Sequence, residues 1–129
     1  MEYYLGKIYR FKSNYSIEGG EDYAKKEHFF ILTGIELGYY YFVPVTSKLK
    51  GFETQYVIPR DKRPFILQSD HCESVVNCNR LILVPYYYLI NLTDTGDSLN
   101  LEEAFNICSK INTFYLNGKV KYIPYIPFN

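Results

Sequence analysis

The chain has no tryptophan, no excess of either charge and no long apolar run, and each absence narrows what it can be. Lys+Arg and Asp+Glu both total 14, so no global field draws in nucleic acid, and a nucleic-acid site must be a local patch. No stretch approaches the ~18–20 apolar residues of a membrane span. The opening Met1-Glu2-Tyr3-Tyr4-Leu5-Gly6-Lys7 lacks the basic end and apolar core of a signal peptide. Cysteine is sparse: Cys72, Cys78 and Cys108 are odd in number and unpatterned in spacing, which argues against a disulfide framework. Asn91-Leu92-Thr93 fits the glycosylation pattern, which means nothing without secretion. The expectation is a cytoplasmic protein with no membrane partner. No Gly-rich phosphate loop, paired-carboxylate motif or Ser/Cys nucleophile signature occurs.

What is present is aromatic and apolar. An apolar fraction of 47% and an aromatic fraction of 19% exclude a disordered tail or linker. At 129 residues the chain has the length of one domain, 1–129, with one core. Fifteen Tyr and nine Phe favour strands, because rings suit a half-buried pleated surface.

The periodicities divide the chain into a run of strands and one helix. Tyr3 to Phe11 alternates, with Tyr3, Leu5, Tyr9 and Phe11 on one face. Ser13 to Lys26 is a long polar loop containing Gly19-Gly20, a length that in compact domains is functional or disordered. His28 to Ile35 and Tyr39 to Thr46 flank Glu36-Leu37-Gly38 as a tight β-hairpin. A basic loop, Ser47 to Gly51, precedes a strand from Phe52 to Ile58 and a turn from Pro59 to Pro64. Phe65 to Leu67, Glu73 to Val76 and Leu81 to Val84 are short strand candidates. Asn100 is an N-cap with Glu103 as capping-box partner. Leu101, Ala104, Phe105, Cys108, Ile111, Phe114 and Tyr115 keep helical spacing on one face, expected to be core, and Asn117-Gly118 ends the helix. The tail 119–129, with Pro124 and Pro127, is an edge strand at most. Strands followed by one amphipathic helix predict an α+β small barrel.

Candidate chemistry gathers in Val43-Pro44-Val45-Thr46-Ser47-Lys48. Two hydroxyls at a strand end beside Lys48 and Lys50 suit phosphate oxygens; equally, polar residues end strands in turns. His28 is either a general acid/base or a packed side chain. His71, Cys72 and Cys78 supply three potential zinc ligands where a structural site wants four, so packing is the simpler reading of the thiols. Arg60, Lys62 and Arg63 with Phe52 and Tyr56 form either a basic aromatic RNA surface or a solvated turn.

Several of these pieces, in order, resemble the MazF/PemK/Kid and ToxN toxin endoribonucleases. Val43-Pro44-Val45-Thr46-Ser47 is similar to the motif at the end of the third strand of PemK/Kid toxins. Gly6-Lys7-Ile8-Tyr9 resembles the opening strand, Lys26 to Leu32 the second, and Ser74 to Asn79 the late strand whose polar residues face the active site. Leu81 to Pro85 resembles the Asn-rich strand and Met-Ile-Pro run of ToxN-type toxins. The likeness spans roughly residues 6–116. It implies an SH3-like barrel that cuts single-stranded RNA with no metal or cofactor, through attack of the RNA's own 2′-hydroxyl. Carried across, Thr46 and Ser47 match the hydroxyl pair on the scissile phosphate, and Lys26, or Lys25, the catalytic cation. Lys48, Lys50, Phe52, Asn77, Asn79 and Arg80 fall where RNA is held. The resemblance also implies a cognate antitoxin, protein or RNA, and leaves open whether the chain is a homodimer. Three features depart from the pattern. Asn77 and Asn79 stand where Kid-type enzymes have Arg and Asp, and neither amide can act as acid or base. Glu27-His28 replaces the Arg-Pro pair. Arg80 either replaces the missing cation or is a surface residue.

Overall fold

The computed structural model describes residues 5–13, 27–68 and 72–125. Its strands are β1 (Lys7–Phe11), β2 (His28–Glu36), β3 (Tyr39–Thr46), β4 (Gln55–Val57), β5 (Val75–Asn77), β6 (Arg80–Pro85), β7 (Thr93–Ser98) and β8 (Lys121–Pro124). Among the described residues one α-helix, α1 (Leu101–Leu116), precedes β8. The architecture is α+β: one mostly antiparallel eight-stranded sheet with a helix packed on it. Among the described residues no helix is long and apolar enough to cross a membrane.

The β2–β3 hairpin forms as its sequence predicts, with Phe30 opposite Pro44 and Ile31 opposite Val43. Its turn is Leu37-Gly38, both at positive φ (51° and 84°), the mirror-image turn geometry that matches strand twist. β1 pairs with β2 on one side and β7 on the other. β5 and β6 are in effect one strand antiparallel to β3. Phe42 faces Ile82 while Val45 faces Val76, so three steps along β3 answer to six along its partner. The surplus is a bulge at Asn77-Cys78-Asn79. Below it β4 pairs with β5, and above it β8 pairs in parallel with β6.

Both faces of the sheet are buried. On one, Ile8, Ile31, Val43, Val45 and Val76 pack under Ile107, Ile111 and Phe114 of the helix. On the other, Tyr9, Phe11, Phe30, Tyr40, Phe42 and Ile82 form an aromatic cluster, with Tyr88 and Leu89 of a 3-10 turn packed against it. Gly6 lies where β1 passes the start of α1. A Cβ there would stand 3.2 Å from Ala104 Cβ and 3.3 Å from the Leu99 carbonyl, at φ +91°.

Three sequence expectations are corrected and one strand is added. Phe65–Leu67 is a 3-10 turn, with Leu67 buried, Ile66 packed against the same core and Phe65 exposed. Thr93–Ser98, to which the sequence pattern assigns no element, is a strand. The buried face of α1 runs through Ala104, Ile107, Ile111 and Phe114, while Leu101, Phe105 and Tyr115 are exposed. Asn100 does cap the helix by accepting the Glu103 N–H at 2.8 Å, but the Glu103 carboxylate turns away to bind Tyr56.

Candidate functional site

The β2–β3 hairpin carries two candidate residues at the same end. From the Phe30–Pro44 pair, two residues back along β2 and two forward along β3 lead to His28 and Thr46, at one end of the sheet. Strand alternation puts both on the aromatic face. His28 lies opposite Phe11, half-buried.

Thr46 is buried, and its Oγ1 accepts the Lys48 N–H at 3.1 Å. This hydroxyl-to-backbone bond turns the chain out of β3. Ser47 is exposed, and among the described residues nothing bonds its hydroxyl. Lys48, Lys50 and Phe52 extend the loop into solvent. The Lys48 ammonium has no ion-pair partner among the described residues.

The loop is held by a residue that no sequence motif marks. Gln55, at the start of β4, is buried. Its Oε1 accepts the Lys50 N–H at 2.8 Å, and its Nε2 donates to the Lys48 carbonyl at 3.2 Å and to Asn77 Oδ1 at 3.0 Å. One amide thus fastens the basic loop to the bulge. Asn77 is buried in this contact rather than presented to solvent. Asn79 and Arg80 are half-buried beside it; the Asn79 carbonyl accepts from Arg80 Nη1 at 3.2 Å and from the Lys121 N–H at 2.9 Å.

A second polar cluster fixes β4 against the helix. Tyr56 Oη donates to the Glu103 carboxylate, its distances to the two oxygens being 2.9 and 2.8 Å. Asn106 Nδ2 donates to the same group at 2.8 Å, and Lys110 Nζ donates to the Gln55 carbonyl at 3.0 Å. Burial, with the Glu103 carboxylate beside it, pushes the Tyr56 phenol up to about 12. Glu103 stands at the capping-box position in sequence, the one signal that singled it out, though for another role.

Other candidates fall elsewhere. Lys25 and Lys26 lie outside the described residues, as does His71. Arg60 and Lys62 sit on an exposed 3-10 turn. Arg63, expected on a basic surface, is buried: Nε donates to the Ile58 carbonyl at 2.9 Å and Nη2 to Glu73 at 2.9 Å, so it clamps its own loop. Cys72 is exposed while Cys78 is buried, with its thiol pushed up to about 12 by burial. Among the described residues no cluster of three His, Cys, Asp or Glu could hold a metal.

The end of β3 therefore carries two hydroxyls and a basic loop, with His28 at the start of the neighbouring strand, residue types that suit an anion such as a phosphodiester. No protein-family model matches the chain, and no curated protein matches it in sequence.

Proposed function

We propose that the chain is a metal-independent endoribonuclease on an SH3-like barrel, a cytoplasmic toxin of the MazF/PemK/Kid and ToxN kind with a cognate antitoxin. What supports this reading is that Thr46, Ser47 and Lys48 leave β3 at the end of the hairpin where His28 enters β2. In the proposed reaction the ribose 2′-oxygen attacks the adjacent phosphorus, giving up its proton, and the 5′-oxygen leaves with a proton. The products are a 2′,3′-cyclic phosphate and a 5′-hydroxyl. Ser47 and Thr46 hold the phosphate oxygens, Lys26 from the preceding loop offsets phosphorane charge, and His28 carries the proton. Preorganised cations and hydroxyls are sufficient for such chemistry because the substrate supplies its own nucleophile. Lys48, Lys50 and Phe52 hold flanking nucleotides by charge and stacking, with Arg80 and Asn79 behind them.

The test is cleavage of single-stranded RNA by the purified chain, with growth on induction in parallel. Activity is expected to survive chelator. Lys26→Ala and Ser47→Ala are each expected to lose about a hundredfold in rate, the effect of removing one preorganised donor. Activity that requires a divalent ion, or that is unmoved by both substitutions, overturns the assignment.

One observation favours a second reading, a non-catalytic barrel that binds RNA or protein. The Asn77 carbonyl oxygen is engaged by Gln55 and buried, so this polar position serves the fold where an enzyme would want a reactive group. Binding of RNA oligomers without cleavage decides for it.

A further inference from the structure

At the turn end of the β2–β3 hairpin, the helix side of the sheet carries a corner built of tyrosines. Gly34 lies opposite Tyr41 and Glu36 opposite Tyr39, so strand alternation sets Gly34, Glu36 and Tyr41 on that one side. On the next strands out, Leu83 of β6 faces Tyr41 and Pro124 of β8 faces Leu83. Tyr122, two residues before Pro124, therefore joins the same side. The rings of Tyr41 and Tyr122 meet edge to face, with centroids 6.2 Å apart and planes at 64°. The Tyr41 hydroxyl donates to the Glu36 carboxylate at 3.4 Å. Tyr115, in the last turn of α1, adds a third phenol: burial pushes Tyr41 and Tyr122 up, and Tyr115 and Glu36 both add to the rise. The floor of the corner is bare backbone, since a Cβ built on Gly34 would meet nothing within 4 Å.

We propose that this corner binds a methylated ammonium group, held against the rings of Tyr41, Tyr122 and Tyr115 with Glu36 as counter-charge at the rim. Aromatic faces attract cations, and the fold uses that attraction elsewhere with its own side chains. Lys7 stands 5.6 Å over the Tyr9 ring and Lys110 5.9 Å over the Tyr56 ring. Among the described residues no Lys or Arg stands so over the three rings of the corner. A bare ammonium is strongly hydrated, and one exposed carboxylate repays little of the water it would lose. Methyl groups spread the charge and bury apolar surface against the rings, so the methylated head suits the corner better. A free choline-like molecule and a methylated lysine of a partner protein share this head. The corner lies at the opposite end of β3 from Thr46, so the proposal stands apart from the enzymatic reading.

An NMR titration of the full chain with choline tests the proposal. Saturable binding is expected, with the N-methyl protons shifted upfield by the ring currents. The neutral isostere, in which a tert-butyl group replaces the trimethylammonium, should bind at least about tenfold more weakly, since it brings methyl groups without charge. Tyr122→Leu, at a position 42% exposed, should weaken choline binding about five- to tenfold. Glu36→Gln should weaken it roughly threefold and remove most of its salt dependence. Gly34→Val should abolish binding by filling the floor without touching a ring. Its thermal midpoint should hold or rise, because a β-branched residue suits a strand better than glycine. A trimethyllysine peptide that binds more tightly than choline identifies a partner protein as the source of the head group, and equal affinity a small molecule; both outcomes support the site. Absence of binding, an isostere equal to choline, or binding indifferent to both Tyr122→Leu and Gly34→Val overturns the proposal.

Discussion

The two faces of the sheet solve the same problem with different materials. The helix side is aliphatic, with β-branched residues from four strands and a helix laid over them. The other side is aromatic, with Tyr88 and Leu89 of a short 3-10 turn packed against its rings. Phe11 stacks on Phe30 with centroids 4.0 Å apart, Tyr9 and Phe42 meet edge to face at 5.4 Å, and Tyr125 caps the stack. A few large rings can exclude water over an area that aliphatic side chains would leave open without a covering helix. The polar ties differ as well. Tyr56 and Glu103 lock the helix side from within, whereas Lys7 and Asp94 join at the rim of the aromatic side.

The comparison breaks most sharply in the aromatic core. Phe42→Ala is expected to lose about 3–5 kcal/mol, and Ile107→Ala under the helix about 2–5 kcal/mol. Urea unfolding with an unchanged slope checks both, and a much smaller loss at Phe42 would mean that the rings yield more easily than their packing implies. Next in size is Tyr56→Phe, which leaves a buried carboxylate short of a donor and should remove roughly 1.5–3 kcal/mol. It also has a pH signature. Burial and the Glu103 carboxylate push the folded phenol up to about 12, above its ordinary 10.0. Its stabilisation is therefore complete below pH 10 and lost between 10 and about 12, and the Tyr56→Phe variant should lack that loss.

Leu37→Asn acts where the two faces end, at the hairpin tip. Leu37 is 88% exposed and at positive φ, a conformation that Asn tolerates better. The substitution should raise stability by about 0.5–1 kcal/mol in thermal melts. The smallest effect is at the aromatic rim. Burial raises the Asp94 carboxyl, but the hydrogen bonds from Lys7 and from the Gly96 N–H, with the charge of Lys7, outweigh it and leave the group below its usual value. A lowered carboxyl stabilises above its unfolded value and loses that contribution as pH falls through the folded one. The pair is partly exposed, so Asp94→Asn should remove only a few tenths of a kcal/mol near neutrality, and less in acid.

Local signals carried the parts of this fold that were legible in sequence. The hairpin announced itself by two aromatic runs around Leu37-Gly38, and the helix by its cap and stop. β7 did not, because Thr93-Asp94-Thr95-Gly96-Asp97-Ser98 needs no apolar alternation: β1, far away in sequence, supplies its pairing. The helix face was misjudged because Phe105 and Ile107 both fit an apolar stripe, and hydrophobicity does not say which stripe meets the sheet. At the candidate site the hydroxyl pair and the histidine were legible as residue types. Gln55 was not, since an amide gains its role only from what the strands bring within 3 Å of it.

The position of β1 between β2 and β7 has a consequence in time. Its inner edge finds β2 soon after synthesis, but its outer edge waits for β7, where Thr95 Oγ1 donates to the Ile8 carbonyl 87 residues away. At ordinary elongation rates that wait is on the order of ten seconds. Throughout it the emerging hairpin sheet presents an open strand edge to whatever stands near the ribosome exit.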